Sequence, residues 1–310
     1  MKKILILALL IFGKTWAQEK ITQQELDVNS LLKGTLYSPN KISKNTDLAI
    51  IIAGSGPTDR NGNQAGLENN SLKYLAESLA QNQIAAYTFD KRIIAQMAQG
   101  TLSEKDLSFE DFITDVKEIA QYFKAQKKYR KIILIGHSEG SLIGMVAAQT
   151  QADAYVSIAG PGRPIDEVLI EQIQKQAPSM TAEVKEDLEI LKKGQTFELK
   201  NPAMGILFRE SVQPYMISWL KYNPRQEIQK LQIPVLLING SRDIQVPASD
   251  AALLKTAKPD AQLKIINDMN HVFKKITTDD MMANANLSSQ PEVPIMPELT
   301  LAINEFIKSL

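Results

Sequence analysis

Ser138, His271 and Asp243 are side chains whose types could together carry nucleophilic acyl chemistry. A serine hydroxyl is a poor nucleophile until an imidazole takes its proton, so a reactive serine needs a histidine placed against it. The chain has two histidines. His137 is the immediate neighbour of Ser138, and adjacent side chains at a sharp turn point in different directions, which makes it a poor base. His271 remains by elimination. The imidazole in turn needs an acid that accepts its second N–H, fixes the tautomer and stabilises the imidazolium. Asp243 follows an apolar strand-like run and can supply that carboxylate. Asp268 is a rival because it is close in sequence to His271, but that closeness is expected to put it across the loop and not behind the ring.

These residues must be positioned by elements that can be read from hydrophobic period. Ile132-Ile133-Leu134-Ile135 has the length and β-branching of a buried parallel strand. It turns through Gly136-His137-Ser138-Glu139-Gly140 into the small and apolar residues 141–148, which suit a helix packed close to a sheet. A G-x-S-x-G pentapeptide alone also occurs in ordinary turns, with the serine as a turn former. Strand, sharp turn and helix around it are what a strained, exposed nucleophile requires. Further strands are expected at 31–39, 47–53, 84–89, 155–160, 233–240 and 263–266, with amphipathic helices at 71–81 and 108–126. This alternation argues for a mostly parallel sheet covered by helices on both faces. Asp243 and His271 each fall just after a strand, at the carboxyl edge where such sheets place their sites. The alternation is broken at about 163–229, where segments 165–176, 181–193 and 210–222 read as helices inserted between two strands. Met204, Phe208, Tyr215, Met216, Trp219 and Tyr222 there either form the insertion's own core or line its underside.

The pentapeptide in this context is similar to the nucleophile elbow of the α/β-hydrolase superfamily. The phrases GSGPTDRNGN, GHSEG, SVQPYMISWLKYNP and DMNHVF resemble exported bacterial members related to the serine aminopeptidase-like and esterase branches. The resemblance runs from about residue 30 to the end. It implies an α/β-hydrolase fold with a helical cap over the active-site mouth, and the chain order Ser138, Asp243, His271 is the one that fold expects. It further implies an oxyanion hole made by two backbone N–H groups, of Glu139 after the nucleophile and of Ser55 in the glycine-rich loop. Ala53 stands where the family usually has a histidine, so Gly54 and Gly56 stay open as donors. The expected reaction is hydrolysis of an acyl bond, first of a carboxylic ester, through an acyl-enzyme and without metal or organic cofactor. Peptidase or acyltransferase chemistry, or a non-catalytic binding protein on the same fold, are the alternatives. Tyr215, Met216 and Trp219 are the candidates for substrate contact. A dehalogenase would need an aspartate at Ser138, and a phosphate-binding loop would need the lysine that Gly54-Ser55-Gly56-Pro57 lacks.

The whole chain, 310 residues with 44% hydrophobic, is ample for one large core, and 18–310 is read as one domain. Lys plus Arg and Asp plus Glu are both 35, which offers no steering toward nucleic acid or an anionic membrane. The expected partner is a small acyl substrate, with no obligate protein partner. Lys2 and Lys3, the apolar run 4–12 and Thr15-Trp16-Ala17 read as a signal peptide ending at residue 17. The run is shorter than the ~20 residues of a bilayer span. A periplasmic or secreted protein is expected, with no cysteine for a disulfide or lipid anchor.

Overall fold

The computed structural model describes residues 20–310, so the expected leader at 1–17 lies outside the described residues. The chain runs β1 (Ile21–Asp27), β2 (Lys33–Pro39), β3 (Leu48–Ile52), α1 (Ser71–Gln81), β4 (Ala85–Phe89), α2 (Arg92–Gln99) and α3 (Phe109–Ala125). It continues through β5 (Ile132–His137), α4 (Glu139–Gln151) and β6 (Ala154–Ile158). Five helices follow: α5 (Ile165–Gln176), α6 (Thr181–Lys192), α7 (Gly205–Phe208), α8 (Gln213–Trp219) and α9 (Pro224–Gln229). The last part is β7 (Val235–Gly240), α10 (Ala248–Ala257), β8 (Gln262–Ile266), α11 (Met281–Leu287) and α12 (Pro297–Lys308).

The strands form one eight-stranded sheet in the order β1-β2-β4-β3-β5-β6-β7-β8. Pairing is antiparallel for β1 with β2 and β2 with β4, and parallel from β4 onward. Strand period two divides the core into layers. Leu48, Ile50, Ile52 and Leu134 pack with Phe109, Phe112, Val116, Ile119 and Phe123 of α3 and with Leu142 and Met145 of α4. Ala49, Ile51, Ile133 and Ile135 face the other way, toward Leu72, Leu75 and Leu79 of α1 and Leu299, Ile303 and Phe306 of α12. The α3 helix begins where Ser108 and Asp111 form a capping box, Ser108 Oγ accepting from the Asp111 N–H at 3.2 Å and the Ser108 N–H donating to the Asp111 carboxylate at 2.8 Å.

The mostly parallel, two-sided architecture is the one that the hydrophobic alternation predicts. One strand departs from expectation: β1 precedes the first expected strand, and its ITQQELD carries no apolar alternation because most of it is exposed at the sheet edge. The helices α5–α9 lie between β6 and β7, which are hydrogen-bonded neighbours, and α5, α6, α7 and α8 share a core of Leu169, Val184, Leu188, Leu191, Phe208 and Met216.

Candidate active site

The β5–α4 turn puts Ser138 at φ 55° and ψ −123°, a left-handed conformation costing a non-glycine residue of the order of 1–3 kcal/mol. The surroundings hold it there. The Ser138 N–H donates to the Ile158 carbonyl at 3.0 Å, and the Ser138 carbonyl accepts from the Ser141 N–H at 2.9 Å. The turn closes only because its flanking residues lack side chains. A Cβ on Gly136 would lie 2.2 Å from the Gly140 carbonyl oxygen, and one on Gly140 would lie 2.4 Å from that of Ala53. Both glycines are therefore required by close backbone approach.

Asp243 follows β7 and His271 follows β8, and the structure brings them together: His271 Nδ1–H donates to Asp243 Oδ2 at 2.8 Å. The two loops can meet because residue 240 is glycine, whose Cβ would otherwise sit 2.1 Å from the Met269 carbonyl oxygen. Asp243 Oδ1 is held by the N–H groups of Gln245 and Val246 at 2.8 and 2.9 Å. The His271 turn is framed by Asn270, whose Oδ1 accepts from Val272 and Lys274 N–H and whose amide bonds to Asn284 of α11. Asp268 points elsewhere, at φ 61° and 3.8 Å from Arg242.

His137 is buried, and its Nε2–H donates to the His271 carbonyl at 3.0 Å, with the two rings 4.8 Å apart. Burial, with His271 nearby, pushes its pKa down to about 3. It is a neutral strut under the His271 turn. Because the folded value lies below the ~6.5 of a free imidazole, the unfolded chain binds a proton in the intervening window that the folded chain does not. This group therefore costs stability as pH falls through that window, by up to about 1.4 kcal/mol per pH unit. Urea unfolding of His137→Gln between about pH 4 and 7 is expected to show a shallower acid slope than the parent; equal slopes would assign the acid sensitivity to other groups.

Ser138, His271, Ser55, His137 and Gly54 line a common cavity of about 210 Å³, together with the polar side chains of Thr58, Gln64, Asn69, Ser71 and Gln245. A second cavity of about 260 Å³ shares Ser55, Ser138 and Gln245 with the first. It is walled by Glu139, Pro161, Ile165, Val168, Leu169, Leu207, Met216, Trp219 and Val246. Ser138 thus stands where a polar lobe and an apolar lobe meet. Of the side chains expected to touch substrate, Met216 and Trp219 line the apolar lobe, Trp219 while stacked on Phe109 at 5.5 Å between ring centroids. Tyr215 turns away from both lobes: it packs on Phe112 at 5.9 Å, and its hydroxyl donates to Glu139 Oε1 at 2.5 Å. Burial and the adjacent carboxylate raise its phenol pKa far above the usual range.

Both expected oxyanion donors border Ser138. Glu139 is the first residue of α4, so its N–H has no intrahelical acceptor. The Ser55 N–H has no acceptor among the described residues. A Cβ on Gly54 would come within 3.2 Å of Ser138 Cβ, so the glycine loop lies directly against the elbow.

Solved structures share this arrangement of elements. Est1E from Butyrivibrio proteoclasticus superposes with a TM-score of 0.58 at 18% identity, over 93% of this chain and 98% of its own. Dienelactone hydrolase from Anabaena variabilis gives 0.51 at 16% identity, over 94% and 99%. The chain has the α/β-hydrolase fold. A family model of serine aminopeptidases (S33) matches residues 66–211, which include Ser138. Esterase EstD of Thermotoga maritima is 27% identical over 260 residues, 82% of this chain. The chain spans 61% of the length of that relative.

Some residues around the site gave no functional signal in the sequence. Gln64, Asn69 and Gln245 lie in ordinary polar loop runs. Lys91 had one available sign: Asp90-Lys91-Arg92 puts three charged residues directly after a buried strand, at the carboxyl edge of the sheet.

Proposed function

We propose that this hydrolase cleaves carboxylic esters outside the cytoplasm, through an acyl-enzyme on Ser138. The observation that carries the reading is the meeting of the strained Ser138 with His271 in one cavity, while His271 Nδ1–H is committed to Asp243. That bond leaves Nε2 as the unprotonated nitrogen, the form that accepts the Ser138 proton. Ser138 Oγ then bonds to the ester carbon as His271 takes the proton, and the carbonyl oxygen becomes an oxyanion facing the Ser55 and Glu139 N–H groups. Collapse breaks the ester C–O bond, and the imidazolium returns the proton to the leaving alkoxide. Water, deprotonated by the same His271, releases the acid and restores Ser138.

The two lobes orient the substrate. His271 must reach the leaving oxygen, and it lines the polar lobe only, so the alcohol belongs beside Thr58, Gln64 and Asn69 and the acyl group beside Ile165, Val168 and Trp219. EstD is named an esterase, and Est1E has been solved with ferulic acid bound, an aromatic acid that the flat face of Trp219 would also suit. An aminopeptidase must hold the substrate's ammonium group. Among the described residues the one carboxylate lining either lobe, Glu139, already has Lys91 and Tyr215 on its two oxygens. Export rests on the sequence at 1–17.

Assay of p-nitrophenyl acetate, butyrate and hexanoate beside aminoacyl p-nitroanilides tests the reading. Esters are expected to turn over faster, and a fluorophosphonate should modify Ser138 in the intact protein. Faster anilide turnover, or no labelling, would refute it. Trp219→Ala is expected to lower the kcat/KM ratio of hexanoate over acetate by about 10-fold, as loss of a wall worth roughly 1–3 kcal/mol would. It should also lower Tm, because the ring stacks on Phe109. An unchanged ratio with a lower Tm would make Trp219 a packing residue alone.

A further inference from the structure

We propose that Lys91 is a positioning residue for the oxyanion hole, its ammonium group tying the two N–H donors to each other through a buried network; this rests on the serine-hydrolase reading above. Lys91 lies between β4 and α2, with its side chain 5% exposed. Its Nζ donates to the Gly54 carbonyl at 3.1 Å and to Glu139 Oε2 at 2.6 Å, and sits 4.4 Å above the Phe112 ring. The Glu139 side chain is 2% exposed, and its other oxygen takes the Tyr215 hydroxyl.

The two contacts bear on the two donors separately. The Gly54 carbonyl and the Ser55 N–H belong to one planar trans peptide and point in opposite directions, so a cation that fixes the oxygen also fixes where the N–H points. A charged donor on that carbonyl polarises the peptide and makes the Ser55 N–H a stronger donor. Glu139 carries the second N–H on its own backbone, and its side chain is the other anchor of Lys91. A buried carboxylate on that residue would repel a developing oxyanion; Lys91 supplies the compensating charge beside it.

Neighbours hold Lys91 in place. Asp90 takes Arg60 Nη2 at 2.7 Å, and Arg92 Nη2 reaches Asp115 at 2.6 Å, so the backbone on both sides of Lys91 is braced by ion pairs. An interaction of this kind stabilises the fold as well, and the test must separate the two effects.

Lys91→Met and the double variant Lys91→Met with Glu139→Gln separate them, the second removing the carboxylate that the first leaves unpaired. The readouts are kcat and KM for p-nitrophenyl butyrate, inhibition by a trifluoromethyl ketone whose Ser138 adduct carries an oxyanion, and Tm. Lys91→Met should lower kcat roughly 10- to 100-fold, below the loss expected for deleting a donor outright. KM should move by less than about threefold, and ketone affinity should weaken by the same factor as kcat/KM. The double variant should recover Tm while keeping the kcat and ketone deficits. Parental kcat and ketone affinity in either folded variant would overturn the proposal and leave Lys91 a stabilising ion pair. An unmodified protein that neither hydrolyses esters nor labels at Ser138 would instead remove the reading beneath it.

Discussion

Ser138→Ala is expected to lower kcat for ester hydrolysis by about 10⁴- to 10⁶-fold and to abolish fluorophosphonate labelling. Removing the hydroxyl leaves nothing to form the acyl-enzyme, while the oxyanion donors and both lobes remain, so a residual acceleration over water should survive. The backbone of the elbow is held by the Ile158 and Ser141 bonds and by close approach at Gly136 and Gly140, none of which involves the hydroxyl. Tm should therefore match that of the parent. Labelling at the parental level in the variant would place the nucleophile elsewhere.

Asp243→Asn should be almost as damaging, for a reason visible in the hydrogen bonds around that side chain. Asp243 Oδ1 accepts from the N–H groups of Gln245 and Val246, which fixes which end of an asparagine would take that position: the oxygen. The amide nitrogen is then left facing His271 Nδ1. Two N–H groups cannot share that contact, so the imidazole must present an unprotonated Nδ1 and carry its proton on Nε2, the atom that should accept from Ser138. A loss of about 10⁴-fold in kcat is expected from the wrong tautomer, with the shape of the site retained. Kinetics with a p-nitrophenyl ester beside a thermal melt would check it; activity within about 10-fold of the parent would mean that His271 is oriented by something other than Asp243.

Much of this arrangement could be read from residue types because it depends on local rules. Isoleucine-rich runs such as 132–135 are buried on both sides and announce themselves. The elbow needs glycine at 136 and 140 for reasons of volume, and those glycines survive in the sequence as a motif. The α12 helix, with Leu299, Ile303, Phe306 and Ile307 at helical spacing, was open to the same reading. What was not legible has a common cause. β1 is stabilised by backbone pairing at an exposed edge, which leaves no apolar signature. Lys91 and Tyr215 are given their roles by contacts across 48 and 76 residues of chain, and no local period encodes such pairs. Tyr215 and Trp219 share a helical face by spacing, yet one reaches Glu139 and the other walls a cavity, because the face meets α3 and the elbow at different points.

The insertion of α5–α9 leaves from β6 and returns to β7, two strands already paired from Tyr155 with Val235 to Ile158 with Ile238. Its departure is fastened where Arg163 forms a paired contact with Asp250 of α10, at 3.0 and 2.8 Å. A loop whose ends are pinned by the scaffold can change length cheaply, since doubling it costs only about 0.6 kcal/mol of closure entropy. The sheet is therefore a chassis on which this segment can be exchanged, and the apolar lobe can diverge through replacements confined to 163–229 without moving Ser138, Asp243 or His271. Contacts from the segment back to the scaffold limit that freedom, among them Ser218 Oγ accepting from the Phe109 N–H at 2.7 Å and the Tyr215 hydroxyl on Glu139. A transplanted segment that brings no hydroxyl to the place of Tyr215 would leave a buried Glu139 oxygen unpaired, so grafts that preserve this contact should give soluble protein more often than grafts that do not.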